Sequence, residues 1–408
     1  MTNTLSVNEL EIKITETGKQ LLDGLSRAIG EIPESTEGPQ RLAVRLGVDK
    51  VLTSRLLKAI RAEDPMAALH RMPGPDPLRR VSSSLKKIGI TSEALLGMEE
   101  AIESYDRLIR QDIGDLSALQ ALLSSWVPEA KREFELRRLQ AAYRAISQLK
   151  GFSASVYADT ALFWPSEDGE HIDVAWIKTI VDMRRLRPGA TLKLTSHRAV
   201  EPGNSSRQAR SLKGNPIEDL SEALLSEYCS PDVPRLSVNQ VGEKVHYILD
   251  EPAFGSRGAA TLVTCEINRG ELPRYIDPQK GRLAWASAEP SVPSKKLQFD
   301  AFVHKDLWGG EAPGVRVYDT TIGGIADVND PSRDIDRLDL AVSVESLPKG
   351  VGRARSTIVP QYHSMIDHVQ RQLGLNGEDF LGYRVQIDYP LYGSQTALTF
   401  RTTAKPSG

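Results

Sequence analysis

Only two of the 408 residues are cysteine, Cys229 and Cys265, far apart and in no Cys-x-x-Cys spacing. That spacing argues against a zinc ribbon or a disulfide framework and fits a reducing interior. No apolar run approaches the ~20 residues that a membrane span needs, so no membrane partner is expected. Met1 to Leu5 lacks a basic stretch leading into an apolar core, and the expected location is cytoplasmic. A surplus of one charge is missing too: 51 Lys and Arg stand against 54 Asp and Glu, a formal net charge of -3. Taken whole, the chain does not announce a nucleic-acid binder.

Catalytic signatures are equally scarce. There is no Gly-x-Ser-x-Gly elbow and no His-Glu-x-x-His. The glycines of Thr321-Ile322-Gly323-Gly324-Ile325 are followed by no lysine of the phosphate-loop type. The carboxylates of Asp327 to Asp336 lack the central glycine and closing glutamate of a calcium loop, and read as a solvated, proline-containing turn. His363 and His368 are five apart, about 140° around a helix axis, and do not converge on one ion. His363 with Asp367 has the right separation but reads as a surface pair. No catalytic residue, metal ligand or cofactor is therefore expected.

What the chain does hold is length for two or three domains and an uneven distribution of charge. From Glu37 to Ile90, eleven basic residues face five acidic ones, a surplus of six in a slightly acidic chain. At its centre lies Gln40 to Ile60, which reads as helix, corner and helix. Leu42, Ala43 and Leu46 supply an inner face, Gly47-Val48 a turn, Asp49 a cap, and Leu56, Leu57 and Ile60 a second inner face. Leu42-Ala43-x-x-Leu46-Gly47-Val48-Asp49-x-x-x-x-Ser54-Arg55 resembles the helix-turn-helix of bacterial transcription regulators, over about twenty residues. Where such motifs usually have a hydroxyl residue followed by a small apolar one, Leu52 is followed by Thr53, so inward and outward positions read as exchanged.

The resemblance implies duplex DNA as partner. Lys50, Val51, Ser54 and Arg55 would face the major groove, Arg55 as the guanine contact, while Arg41, Arg45, Lys58 and Arg61 would neutralise phosphates. It also implies a homodimer. An assembly protein of structural or defence type, using its helices for protein contacts, is the alternative; an enzyme with an unrecognised active site in the C-terminal half is another.

The remaining periodicity gives a multidomain chain: an all-α helix-turn-helix region over 1–90, a helical linker or dimerisation region over 91–151, and an α+β region over 152–408 with a mostly antiparallel or mixed sheet, divisible near 201–216. Leu5 to Ile32, Leu78 to Gly89, Leu95 to Leu108, Leu116 to Leu123 and Pro128 to Lys150 read as helices. Ser153 to Trp164 and Thr191 to Thr195 read as strands, Ile172 to Leu186 and Ile217 to Tyr228 as helices. Strands follow at Arg235 to Val241, Lys244 to Leu249, Ala259 to Ile267, Leu297 to His304, Val315 to Asp319 and Leu338 to Val344. A helix is expected at Tyr362 to Leu373, then a hairpin with arms at Tyr383 to Asp388 and Leu398 to Thr402. The last region senses a small-molecule effector or mediates assembly in this reading. Trp285, Phe302, Trp308, Tyr318, Tyr389 and Tyr392, with Arg274, Lys296, Lys305 and Arg316, are suited either to a pocket or to ordinary core and rim.

Overall fold

The N-terminal region is helical, beginning with α1 (Val7–Gly30), α2 (Pro39–Leu46) and α3 (Lys50–Ile60). The structure is a computed structural model that describes residues 7–32, 38–62, 64–198, 209–231, 236–241, 244–249, 258–276, 281–308 and 311–405. Asp64 and Asp115 accept backbone N–H bonds at the starts of α4 (Pro65–Arg71) and α7 (Leu116–Trp126), satisfying groups that a helix end leaves open. Between them run α5 (Pro75–Ile88) and α6 (Ser92–Arg107), the latter continued by a wider π-helical turn, Leu108–Ile113. A long α8 (Pro128–Lys150) follows.

Contacts divide the chain into two units, Met1–Glu135 and Leu136–Gly408. In the first, Leu21 and Leu25 of α1, Leu46 of α2, Leu56 of α3, Val81 of α5, Ile102 and Tyr105 of α6 and Leu123 of α7 belong to one apolar cluster. Helices α6 and α7 thus share the core of the helices before residue 90. Close packing explains one glycine there: a Cβ on Gly24 of α1 would lie 3.0 Å from the carbonyl oxygen of Gly97 in α6.

The second unit combines strands with a helix. A six-stranded sheet has the order β10 (Val344–Ser346), β11 (Phe380–Asp388), β8 (Ser294–His304), β1 (Phe152–Pro165), β2 (His171–Arg185) and β6 (Ala260–Pro273). Its pairings are antiparallel except for β1 beside β8, which is parallel. One face carries Tyr157, Phe163, Phe299 and Val385 against Ala286, Leu398 and Phe400 of a three-stranded sheet formed by β7 (Leu283–Ala288), β12 (Ser394–Arg401) and β9 (Gly314–Asp319). The other face buries Leu162, Ile177, Cys265 and Phe302 against Tyr362, Met365, Ile366 and Val369 of α9 (Tyr362–Gln372). A third sheet pairs β3 (Leu192–Arg198), β5 (Lys244–Leu249) and β4 (Leu236–Val241). The chain is thus a helical N-terminal region followed by a mixed α+β region.

Several local expectations change. Residues 172–185 are strand, not helix: both faces of β2 are covered, so apolar residues fall on both sides, and with Asp173, Lys178 and Asp182 among them the sequence carries no clean alternation. Residues 217–228 form two short 3-10 turns, Leu220–Ala223 and Ser226–Tyr228, rather than one helix. Of the strand expected over 338–344, only Val344 is in a strand, the short β10. The arms of the expected hairpin lie in different sheets, because the chain crosses between them after β11, with Tyr389 at φ 53° and Gly393 at φ 84°. The boundary expected near 201–216 lies partly outside the described residues.

Candidate nucleic-acid interface and the polar sites of the second unit

The corner between α2 and α3 follows from three residues. Pro39 opens α2 at a position where its missing N–H costs nothing. Gly47 ends α2 in the left-handed region, φ 64° and ψ 32°, and Val48 N–H closes the turn onto the Ala43 carbonyl at 3.1 Å. Asp49 then caps α3, its Oδ1 accepting the Leu52 N–H at 2.8 Å. Leu52, Thr53, Leu56 and Leu57 turn inward together.

Thr53 settles how the exchanged pair is accommodated. Its side chain is fully buried, and the hydroxyl donates to the Pro39 carbonyl at 2.9 Å. That bond ties the second helix to the start of the first and satisfies a polar group at a core position. Replacing Thr53 by Val keeps the volume but leaves the Pro39 carbonyl without this donor. We expect T53V to cost about 1–2 kcal/mol in denaturant unfolding of the helical unit. A loss below a few tenths of that would show that the bond holds nothing in place.

The outward face of α3 carries Lys50, Val51, Arg55 and Lys58, with Arg61 at its end; all are exposed, Val51 at 69%, and Ser54 is half-buried. Arg41, Val44 and Arg45 of α2 are exposed as well. One expected groove residue is partly engaged: Arg55 Nη2 donates to the Met72 carbonyl at 3.2 Å. Further on, Arg79 is drawn into ion pairs with Asp76, Glu103 and Asp106 at 2.7–2.9 Å. The Asp106 and Glu103 carboxylates hold its pKa above the ordinary arginine range. Arg79 therefore adds little to the local positive surface.

Polar groups concentrate on both faces of the large sheet in the second unit. Beneath α9, Asp300 is 0% exposed and accepts a two-pronged contact from Arg384, Nε at 2.8 Å and Nη2 at 2.7 Å. The Tyr362 hydroxyl and the Gln298 amide also donate to Asp300. Ser356 and Gln386 donate to Gln298, and Arg384 Nη1 donates to the Arg355 carbonyl at 2.7 Å. Burial opposes the Arg384 charge, but the Asp300 carboxylate more than reverses that and holds the arginine protonated. Every member has its partners, so the arrangement clamps β8, β11 and α9 and offers no open group for chemistry.

The opposite face holds a different set. Asp159 on β1 sits in register with Lys178 on β2. Burial, abetted by Glu289 and Glu266, pushes the Asp159 carboxyl up to about 6, against the pull of Lys178. Burial works against the Lys178 charge, and Tyr157 and Asp159 reverse it. Because the folded pKa of Asp159 lies above the ordinary value, the folded state holds the proton more tightly between about pH 4 and 6. Stability therefore falls as pH rises through that window, by about 3 kcal/mol for a shift of about two units. The D159N variant should lack this slope. If the stability difference between wild type and D159N is the same at pH 4 and pH 7, the assignment fails.

The aromatic and basic residues singled out along the C-terminal half do not gather at one place. Phe302, Trp308 and Tyr318 are core. Lys296 and Lys305 pair with Asp388 and Asp379. Arg316 donates to the Val328 carbonyl, Arg274 lies over the Tyr275 ring, Tyr389 meets Gln140 and Tyr143, and Lys150 lies over Tyr392. Trp285 lines a cleft of about 660 Å³ with Phe163, Trp176 and Tyr275, while Arg316 lines a separate, smaller one with Asp334 and Arg337. Among the described residues no group of three or more His, Cys, Asp and Glu is placed to hold a metal ion. No helix among them is long and apolar enough to cross a membrane. Asp159, Lys178, Asp300 and Arg384 escaped the sequence reading, although a charged residue within an otherwise apolar strand was a usable signal. Compared with protein-family models, with curated proteins and with solved structures, the chain matches none.

Proposed function

We propose that the protein is a DNA-binding transcription regulator that reads duplex DNA with α3, the second helix of a helix-turn-helix. The observation that carries this reading is the exposed face of α3: Lys50, Val51, Arg55, Lys58 and Arg61 stand on a corner fixed by Gly47 and Asp49. A helix presented on a rigid corner is what a major groove admits, and its first turns are where base contacts arise. Lys50, Val51, Ser54 and Arg55 are assigned to the groove. The bond to Met72 occupies Arg55 Nη2, so the residue serves as a guanine reader with its remaining N–H groups or after exchanging that bond. Arg41, Arg45, Lys58 and Arg61 are assigned to phosphates.

The protein works as a homodimer in this reading, with half-sites about 34–36 Å apart. The α+β unit is the sensing or assembly part, with a small-molecule effector as its candidate ligand. The test is duplex binding by the full-length protein across a salt series. Affinity that weakens steeply with salt, and that drops in the K50A/R55A variant, is expected. No affinity at low salt, or none lost in that variant, ends the proposal.

A further inference from the structure

We infer that the outer edge of β7 is a docking site for an extended peptide, which adds to the β7–β12–β9 sheet as a fourth strand. The inference stands apart from the DNA reading and rests on backbone polarity. β7 is an edge strand, paired only to β12, with Leu283 opposite Arg401 and Ala286 opposite Leu398. In an antiparallel pair successive residues point their N–H and C=O groups alternately toward the partner and away from it. Asn329 reveals which residues of β7 point away. Its side-chain amide accepts the Leu283 N–H at 2.7 Å and donates to the Leu283 carbonyl at 3.0 Å, so Leu283 faces outward. By the same alternation Trp285 and Ser287 face outward, while Ala284, Ala286 and Ala288 bond to β12.

Asn329 thus makes at Leu283 the two bonds that a residue of a neighbouring strand would make. Beyond it the edge is open among the described residues: no backbone partner from them reaches Trp285 or Ser287. The opening is the cleft of about 660 Å³, with Ala284, Trp285, Ala286 and Ser287 along one wall. Phe163, Val174 and Trp176 line it on the side facing the large sheet, and Leu272 and Tyr275 lie at the end of β6. Its size is that of a ligand site, and six residues of strand run for about 20 Å.

The chemistry of this edge selects its occupant. Donors and acceptors spaced along a strand are matched by another backbone, which gains affinity from main-chain bonds and specificity from alternate side chains. The edge lines the same cleft as Leu272, Pro273, Tyr275, Ile276, Asp327 and Asn329, and a single extended chain is the occupant whose backbone matches it. Phe163, Val174 and Trp176 call for apolar side chains on the inward face of that chain. Exposed Glu271 and Asp327, against Arg282, favour basic residues at its ends.

The probe is a blocked heptapeptide, Lys-Val-Thr-Val-Thr-Val-Lys, added to the full-length protein and followed by tryptophan fluorescence, since Trp176 and Trp285 flank the cleft. Two isomers carry backbone N-methyl groups on alternate residues, one on the odd and one on the even. Saturable binding by the parent peptide and by one isomer, with at least a tenfold loss in the other, is expected. Equal binding of both isomers, or no binding of the parent at ~1 mM, overturns the inference. In the protein, S287P removes an outward N–H without touching a β12 bond, a position that tolerates proline. It should weaken the parent peptide at least tenfold. Should S287P misfold, hydrogen exchange on the unmodified chain decides: saturation should slow the Trp285 and Ser287 amides and leave Ala284 and Ala286 unchanged, and uniform or absent slowing counts against peptide addition.

Discussion

The D300A variant is expected to lose about 3–5 kcal/mol from the stability of the α+β unit. Asp300 is fully buried and Arg384 is 7% exposed, so deleting the carboxylate strands a guanidinium with little besides the Arg355 carbonyl to solvate it. The Tyr362 hydroxyl and one Gln298 N–H lose their acceptor at the same time. The size of the loss therefore measures an unpaired charge more than the worth of the pair. A D300L/R384M variant, which removes both charges and retains apolar volume, should be clearly more stable than D300A. Denaturant unfolding followed by fluorescence suits this comparison, because Trp164, Trp176, Trp285 and Trp308 belong to this unit and only Trp126 to the other. A D300A loss below about 1 kcal/mol, or a double variant no better than the single one, would mean the network is solvated or loosely held.

The second large effect concerns DNA and separates two kinds of contact on α3. In K58A/R61A, two cations assigned to phosphates disappear, and the logarithmic salt slope should fall by about 1.8, with affinity reduced alike for every duplex. In K50A/R55A, the loss should be greatest for the preferred sequence and small for an unrelated duplex, because base contacts carry the discrimination. Losses on the order of a hundredfold at ~0.1 M salt are expected for the preferred duplex in the latter, from two contacts worth about 1–3 kcal/mol each. If both variants change only the salt slope, α3 lies along the backbone and reads no sequence. Arg79 is the control: its ion pairs with Asp76, Glu103 and Asp106 remove it from the positive surface, so R79A should leave DNA affinity unaltered.

How legible these features were in the sequence depended on how local their causes are. The α2–α3 corner could be read because its determinants are neighbours: a proline at the first helical position, a glycine at the corner, an aspartate two residues on. Helix α9 and strands β5, β8, β9 and β11 were visible for the same reason. β2 misled, because a strand covered on both faces places apolar residues on both sides and lacks the two-residue alternation of a half-buried strand. β7, with three alanines in six residues, has little β-propensity; the pairing with β12 makes it a strand. The assignment of β11 and β12 to different sheets was hidden in the same way, since only distant partners distinguish a hairpin from a crossing.

The bond between Thr53 and Pro39 lay at the limit of legibility. The unusual Leu52-Thr53 order was plain, but its solution required knowing that a carbonyl fourteen residues earlier stood opposite the hydroxyl. Asp300 and Arg384 are 84 residues apart and meet only because β8 and β11 are neighbours, with Asp300 opposite Arg384 in the register.

The parallel pair at the centre of the large sheet also fixes an order of events. Ala154 of β1 meets Ser294 of β8, a loop of about 140 residues that must close before the sheet has a middle. Closing so long a loop is slow, and during synthesis β1 and β2 emerge as a two-stranded hairpin long before β8 exists to cover the other side of β1. Refolding of the α+β unit should accordingly be the slow phase of the chain. A ribosome-bound fragment ending before residue 294 would carry β1 with its apolar edge open, which makes this interval of translation the one most exposed to aggregation.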